Sequence, residues 1–409
     1  MMKIAGKMRV EIRIVPDDHD AMKDRLSEGI DLLRDEMVGI ARAIHAKPEI
    51  GYQEYESSRI LADFLEKHGF EVNRQIGGLE TSFLASFPKL PEGPTIALLA
   101  EYDALPGLGH GCGHNLIGTA SAGAAVGLSK VMGNLKGRIV VMGCPAEEAG
   151  IDGAGGKVHL VEKGYFEKVD AAICFHPMPM TTVGGETSAL IGLEFDFQGK
   201  AVHAAGNPWD GINALDGVLQ TFNAINALRQ HVRDNVRIHG IVNHGGDAPN
   251  IVPERAVARF FVRSANSDVL RETVEKVKNC ARGAAMATGA TLKIKVFNNL
   301  YEAMKTNSVL AETINNNLER VGLRVEGRKK GKGSTDFGNV SNVVPACELA
   351  IRLGEGIYPH TREFLEASNS EEGYKVMMLG AEIMASSAMD LLVSPVLLDK
   401  ARKEFQAGQ

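Results

Sequence analysis

Four apolar runs of strand length punctuate the chain, at Thr95–Ala100, Arg138–Cys144, Asp170–Phe175 and Cys347–Leu353. None has the polar alternation of a strand with one wet face, so each is expected to be covered on both sides. Helical segments at Asn115–Met132 and about Gly156–Lys163 separate the first three. Apolar strands alternating with helices indicate an α/β fold, a mostly parallel sheet with helices on both faces.

The residues beyond each run restrict the function. His110, Cys112 and His114 come after the first in a glycine-rich turn, and Glu147 and Glu148 after the second. His176 stands directly after the third, and His360 lies a few residues past the fourth. Open sheets of this kind bind ligands beyond the carboxyl ends of their strands. Thiolate, imidazole and carboxylate are the groups that hold a borderline metal such as zinc. One carboxylate more than ligation needs suits a proton shuttle beside a metal-activated water. The expectation is a metal-dependent amidohydrolase. Plainer readings stand beside it: a solvated HxCxH loop, a charged surface at the paired glutamates, and hydrogen-bonded structural histidines. A closed structural zinc site would favour four cysteines, or two with two histidines, and would leave the second glutamate without a role.

The remaining chain has two textures. From about Asp20 to His68 apolar and charged positions alternate at helical spacing, giving two helices broken near Pro48 and Gly51. EVNRQIGG and TSFLASF come next as short strands, and PKLPEGP as a turn. From Ala189 the pattern becomes strand (LIGLEFDFQGKAVHAA), long amphipathic helix (Gly211–Val232), two strands (NVRIHGIVN, RAVARFFVRSA), helix (VLRETVEKVKNCARGAAMATG) and strand (TLKIKVFNN). That is a complete β-α-β-β-α-β unit of ferredoxin-like type. Ser308–Val321 and Cys347–Leu353 return to the style of the first half, so residues 189–299 read as an inserted domain between 1–188 and 300–409. The basic run RKKGKG at 328–333 reads as a solvated loop.

Composition excludes several partners. With 409 residues, two domains are expected rather than one core. A formal net charge of −6 gives no electrostatic case for nucleic acid, and no run approaches an unbroken membrane span. The start, MMKIAGKMRVEIRIVPDDHD, lacks the apolar centre of a signal peptide. Five cysteines (112, 144, 174, 280, 347), odd in number and without a CxxC pair, argue against a disulfide framework. A reducing cytoplasm is the expected location, with Cys112 kept as a thiol for metal and the other four as small core residues.

The stretches AEYDALPGLGHGCGHN, CPAEEAGIDGAGG, FHPMP, GKAVHAA, GGDAPNIVPE with FFVR, GSTDFGNVS and YPHTREF run in order over almost the whole chain. Together they resemble the aminoacylase and carboxypeptidase-type family of cocatalytic metallopeptidases. Within it they look most like the branch of auxin-amino-acid-conjugate hydrolases, aminobenzoyl-glutamate hydrolase subunits and β-alanyl-lysine dipeptidase. The resemblance implies that Cys112, His114, Glu148, His176 and His360 bind one or two divalent metals, zinc or manganese, and that Glu147 is the general base. It makes Asp103 a group near the metals that orients a ligand. Residues 189–299 become a lid and homodimerisation domain. His203 would donate to the oxyanion in a neighbouring subunit, and Asn250 and Arg263 would hold a substrate carboxylate. Glu101 stands where relatives with a His-x-Asp motif have an imidazole, so their first ligand is missing and the Cys112/His114 pair is expected to compensate. Asn115 replaces an aspartate common in the auxin-conjugate enzymes, which shifts the likeness towards the other two groups.

A guanidinium grips a carboxylate through two parallel hydrogen bonds, so Arg263 suits that task, although a surface strand arginine is the plainer reading. His203 read on its own is an exposed strand-end histidine. The glycine-rich turn Gly333–Asp336, carrying Ser334 and Thr335, is a candidate lining of the substrate pocket. The expected substrate is an N-acyl amino acid, an aminobenzoyl-glutamate-like conjugate or a small dipeptide, with a free carboxylate. Two alternatives remain open: a deaminating hydrolase using the same water activation, and an accessory ligand-binding subunit of a hetero-oligomer.

Overall fold

A computed structural model describes residues 16–88, 92–133, 135–327 and 333–408. The first 15 residues, three residues of the PKLPEGP turn and nearly all of the basic run lie outside them. Strands β1 (Glu71–Arg74), β2 (Phe83–Phe87), β3 (Thr95–Ala100), β4 (Arg138–Gly143), β5 (Ala171–Met178) and β6 (Thr182–Val183) form one sheet with β11 (Ala346–Arg352). Their order is β1-β2-β4-β3-β5-β11-β6. The central four are mutually parallel, and β1, β2 and β6 add antiparallel edges. All four of the expected apolar strands are therefore the centre of the sheet, where both faces are buried.

The two faces divide the same strands by alternate residues. Ile96, Leu98, Ile139, Val141, Ile173 and Phe175 pack under the helices His114–Val131 and Glu371–Val393. Leu99, Val140, Met142 and Cys174 pack on the other side with Leu160, Phe166 and Phe337. Each Leu or Phe fully removed from water in this way contributes about 1.5–3 kcal/mol. Helix Glu371–Val393 is long and apolar enough to cross a bilayer, but most of it is buried in this core. Helix His114–Val131 is nearly all small or apolar and lies directly on the sheet. A Cβ on its Gly118 would sit 2.7 Å from the Glu101 carbonyl oxygen, so glycine lets the helix start close to the end of β3.

Before the sheet come three helices, Pro16–Asp31, Arg34–Ala46 and Tyr55–Lys67, where two were expected. The additional break falls at Leu32 and Leu33, without proline or glycine. There an i→i+3 bond from Leu33 N to Ile30 O tightens the turn and keeps Leu33 in the core while Leu32 is exposed.

The inserted unit is a separate antiparallel sheet of β7 (Ala189–Gln198), β8 (Arg237–His244), β9 (Arg255–Ser264) and β10 (Thr291–Tyr301), in the order β10-β7-β9-β8. Helices Ala214–Leu228 and Ser267–Thr288 cover one face over Phe195, Phe197 and Phe260. The alternate residues Glu194, Asp196, Arg259 and Arg263 face the other way, as a half-wet sheet requires. β7 stops at Gln198 rather than running through AVHAA. Lys200 instead pairs with Ile212, and His203 with Ile251, in isolated bridges. The first helix is shorter than the expected Gly211–Val232 because the Asn213 side chain accepts from Leu215 N and fixes its start. β10 ends against the larger sheet: Gly153 N donates to Phe297 O at 2.6 Å, and Gly150 N to Asn298 Oδ1 at 3.1 Å. These bonds hold the loop next to Glu148.

Candidate metal centre

The ends of β3, β4, β5 and β11 meet at one edge of the sheet. β3 is followed immediately by Glu101 and then Asp103. The loop returns to Gly113, whose φ of +78° suits glycine and lets His114 begin the next helix. β4 leads into Pro145, Ala146, Glu147 and Glu148. Ala146 has a φ of +54°, held by Glu54 Oε1, which accepts from Ala146 N at 2.8 Å. The Tyr301 hydroxyl donates to the Glu147 carbonyl at 2.9 Å, so β10 steadies the same turn.

His114 Nε2 is central. It lies 3.6 Å from Glu101 Oε2, 3.8 Å from Glu147 Oε2 and 3.9 Å from Glu148 Oε1. His176, inside β5 rather than after it, places Nε2 3.1 Å from Glu101 Oε2. His360 reaches in from the rim, with Nε2 3.7 Å from Glu148 Oε2 and its side chain 56% exposed. Its φ is +67°, and its N–H donates to Gly111 O at 2.8 Å. Two ligand sets share His114: Glu101 with His114 and His176, and Cys112 with His114 and Glu148. Within each set the ligand atoms lie within 4.8 Å of one another.

These residues fit a divalent cation. Among the described residues, His114 Nε2 and Glu148 Oε1 are buried without a hydrogen-bond partner although they lie 3.9 Å apart, and Glu101 Oε2 approaches the same nitrogen at 3.6 Å. Buried polar atoms left so are costly unless something binds them. The imidazoles are also aimed from behind. Asp103 Oδ1 lies 2.9 Å from His114 Nδ1, and Glu348 Oε1 lies 3.1 Å from His176 Nδ1. A carboxylate on the far nitrogen fixes the ring and leaves Nε2 to ligate. Asp103 Oδ2 also accepts from Glu148 N at 3.0 Å.

Burial and the Glu101 charge push the Glu147 carboxyl up to about 7. Burial pushes Glu148 up to about 7 against the pull of His114, and it raises the Cys112 thiol to about 11. Glu101 behaves differently. Burial opposes its charge, but Lys157 and the imidazoles outweigh that and hold its carboxyl well below the usual range.

Cys112, His114, Glu147, Glu148, His176 and Asp103 are thus brought together, with His360 at the rim. His203 and Asn250 are not: both are exposed on the small sheet's loops and, among the described residues, form no hydrogen bond or ion pair with the cluster. Arg263 lies on β9, where Nη1 donates to Ser334 Oγ at 3.2 Å and the guanidinium sits 5.7 Å over the Phe261 ring. Among the described residues it has no carboxylate partner, and its Nε is buried and unpaired. Asn115 points to structure, donating to the Ser368 carbonyl at 2.9 Å.

Glu101, Glu348 and Lys157 join the site without having been singled out as working residues by the sequence, and Asp336, from the turn expected to line the pocket, is instead buried against Lys157. Glu101 occupies with a carboxylate the place where a ligand was expected to be missing. One signal was available: Glu348 is the only charge within the buried part of ACELAIR, and a charge in a doubly covered strand needs a partner.

The comparisons with known proteins agree with this geometry. Over residues 95–382 the chain matches the family model described as Peptidase family M20/M25/M40. It is 34% identical to the Xaa-Arg dipeptidase of Mus musculus, over 95% of this chain and 93% of that protein. It is 29% identical to a p-aminobenzoyl-glutamate hydrolase subunit of Escherichia coli (strain K12), over 93% and 94%. The fold is shared with a dinuclear metal binding peptidase of Bacillus subtilis, at a TM-score of 0.66 and 21% identity over 89% of this chain and 99% of the other. A cluster of metal-ligating groups beside a raised carboxyl, carried on that fold and that sequence, places the chain in Peptidase family M20/M25/M40 as a metal-dependent hydrolase of amide bonds.

Proposed function

We propose that the chain hydrolyses the amide bond of an N-acyl amino acid, an aminobenzoyl-glutamate-like conjugate or a small dipeptide bearing a free carboxylate. The observation that carries this substrate class is Arg263, a half-buried guanidinium without a carboxylate partner among the described residues. A cation left so is poised for an anionic ligand, and its planar fork matches a carboxylate. The names of the relatives, a Xaa-Arg dipeptidase and a p-aminobenzoyl-glutamate hydrolase subunit, fit that class.

One or two divalent cations, zinc or manganese, held by Cys112, His114, Glu148, His176 and His360, supply Lewis acidity and an activated water when bound. Glu147 accepts a proton at its carboxylate and delivers it to the departing nitrogen, a task suited to a group raised to about 7. Arg263 and Asn250 orient the substrate through its carboxylate. His203 donates to the developing oxyanion. Its Nδ1 accepts from Ala205 N at 3.2 Å and Gly206 N at 3.1 Å, so the neutral ring carries its proton on Nε2.

Because His203 does not reach the cluster of its own chain, it serves a second copy in a homodimer formed by the lid, residues 189–299. Strand β8 at the edge of that sheet has one strand neighbour, and Ile241 on it is 63% exposed. An apolar edge of this kind invites pairing. Five free thiols support a reducing compartment such as the cytoplasm.

The test is purified protein with zinc, manganese or cobalt, assayed by mass spectrometry against acyl amino acids, dipeptides and their carboxamide analogues, with light scattering on the same sample. A dimer releasing free amino acid from the carboxylates in preference to the carboxamides is expected. Ammonia released from other small molecules would favour a deaminating hydrolase, and turnover only with a second chain would favour an accessory subunit. An active monomer would remove the role given to His203.

A further inference from the structure

Lys157 is the only fully buried lysine among the described residues, and the hydrolytic reaction does not use it. Its placement is built in. Gly155 has a φ of +108°, and its N–H donates to Ala146 O at 2.8 Å, against the turn that carries Glu147. A side chain on Gly156 would strike the Pro145 carbonyl. The GAGG segment therefore lets helix Gly156–Glu162 begin against that turn and sends Lys157 inward. Its N–H donates to Asp336 Oδ2 at 2.9 Å, its ammonium pairs closely with Asp336 Oδ1, and the same ammonium lies 2.7 Å from Glu101 Oε1.

Glu101 thus has two ends. Oε1 meets the ammonium, and Oε2 meets His176 and His114. Moreover, Glu101, Glu147 and Asp336 form a third group whose oxygens lie within 4.8 Å of one another, close enough to hold a cation. Three buried carboxylates at that spacing repel one another, and each is costly to desolvate without a positive charge. The ammonium is the positive charge already there.

We propose that Lys157 is a positioning residue that takes the place of a divalent cation among Glu101, Glu147 and Asp336. It fixes Glu101 with one oxygen turned to His114 and His176, and it confines exchangeable metal to the two ligand sets that share His114. This rests on the reading of the cluster as a metal centre.

The experiment counts divalent cations. Wild-type and Lys157→Met proteins are stripped with chelator, dialysed against manganese, and their bound metal per chain measured by mass spectrometry and calorimetry. Lys157→Met should bind one more equivalent per chain than the wild type, and Lys157→Met/Asp336→Asn should not, because one of the three carboxylates is gone. With the ammonium replaced by an exchangeable cation that also engages Glu147, kcat of Lys157→Met should fall roughly tenfold to a hundredfold with KM little changed, the range for groups that orient ligands. A folded Lys157→Met protein with the wild-type metal count overturns the proposal. Should this variant fold only with added manganese, that recovery supports it; a protein that stays unfolded in manganese while the double variant folds overturns it. Wild-type protein that binds no divalent cation would sink the metal centre itself, a different result from a missing extra equivalent.

Discussion

Replacing Asp103 by asparagine asks whether one carboxylate organises the cluster. Oδ1 lies 2.9 Å from His114 Nδ1, and Oδ2 accepts from Glu148 N at 3.0 Å, so a single side chain aims two groups at the centre. The Asp103 carbonyl also lies 2.9 Å from His114 Nδ1, which keeps a proton there and leaves Nε2 free to ligate. Asparagine has one accepting end and one donating end. With its oxygen towards Glu148 N–H, its NH2 opposes the Nδ1 proton; turned over, its NH2 opposes the Glu148 N–H. Either way one charge-assisted bond is lost, at about 1.5–3 kcal/mol. At 1.4 kcal/mol per decade this is roughly a 10- to 150-fold loss of metal affinity. The assay is competition with a fluorescent chelator for the dissociation constant, and kcat at saturating metal. Affinity should fall by that factor with kcat largely retained. Unchanged affinity with a collapsed kcat would refute the reasoning and put Asp103 in the chemistry itself.

Glu147→Gln should keep metal and lose roughly 10²–10⁴ in rate, whereas Glu148→Gln should lose metal and recover in part when metal is added; metal content after gel filtration and turnover separate them. Arg263→Lys should weaken carboxylate substrates by about 1.5–3 kcal/mol and spare their carboxamides, and equal losses on both would return Arg263 to a structural role. In metal-free protein Glu147 and Glu148 titrate at about 7 rather than at their ordinary 4.5. The folded state therefore holds protons that the unfolded chain has released, and stability falls as pH rises through that window. Melting in chelator should show a lower midpoint at pH about 7.5 than at about 5, a difference that bound metal reduces; an opposite slope would contradict the burial argument.

The parallel core is legible in the sequence because TIALLA, RIVVMG and ACELAIR bury both faces and need no alternation to be seen. The positions of Cys112, His114, the two glutamates and His176 come from the same strands, since their carboxyl ends share an edge. The break at Leu32 is not legible, because no proline or glycine marks it and tertiary packing of Leu33 decides it. Lys157 and Asp336 are hidden for another reason. Each looks like an ordinary surface charge, and only the approach of two distant loops makes them a buried pair. The exposed His203 and Asn250 rest on resemblance alone, because neither reaches the cluster in its own chain.

The small sheet also governs how the molecule assembles. β11 pairs with β5, yet the whole inserted unit lies between them in the chain. Closing so long a connection is slow unless the intervening segment has already become compact. In that unit Leu190 and Tyr301 are register partners on β7 and β10, so its folding brings its two ends side by side. Along the chain Cys112, His114, Glu147, Glu148 and His176 precede the insert, and Glu348 and His360 follow it. A compact insert would therefore act as a folding staple for the metal centre. Damage to its core at Phe195 or Phe260 should lower the yield of metal-competent protein, while molecules that do mature turn over at the normal rate per bound metal.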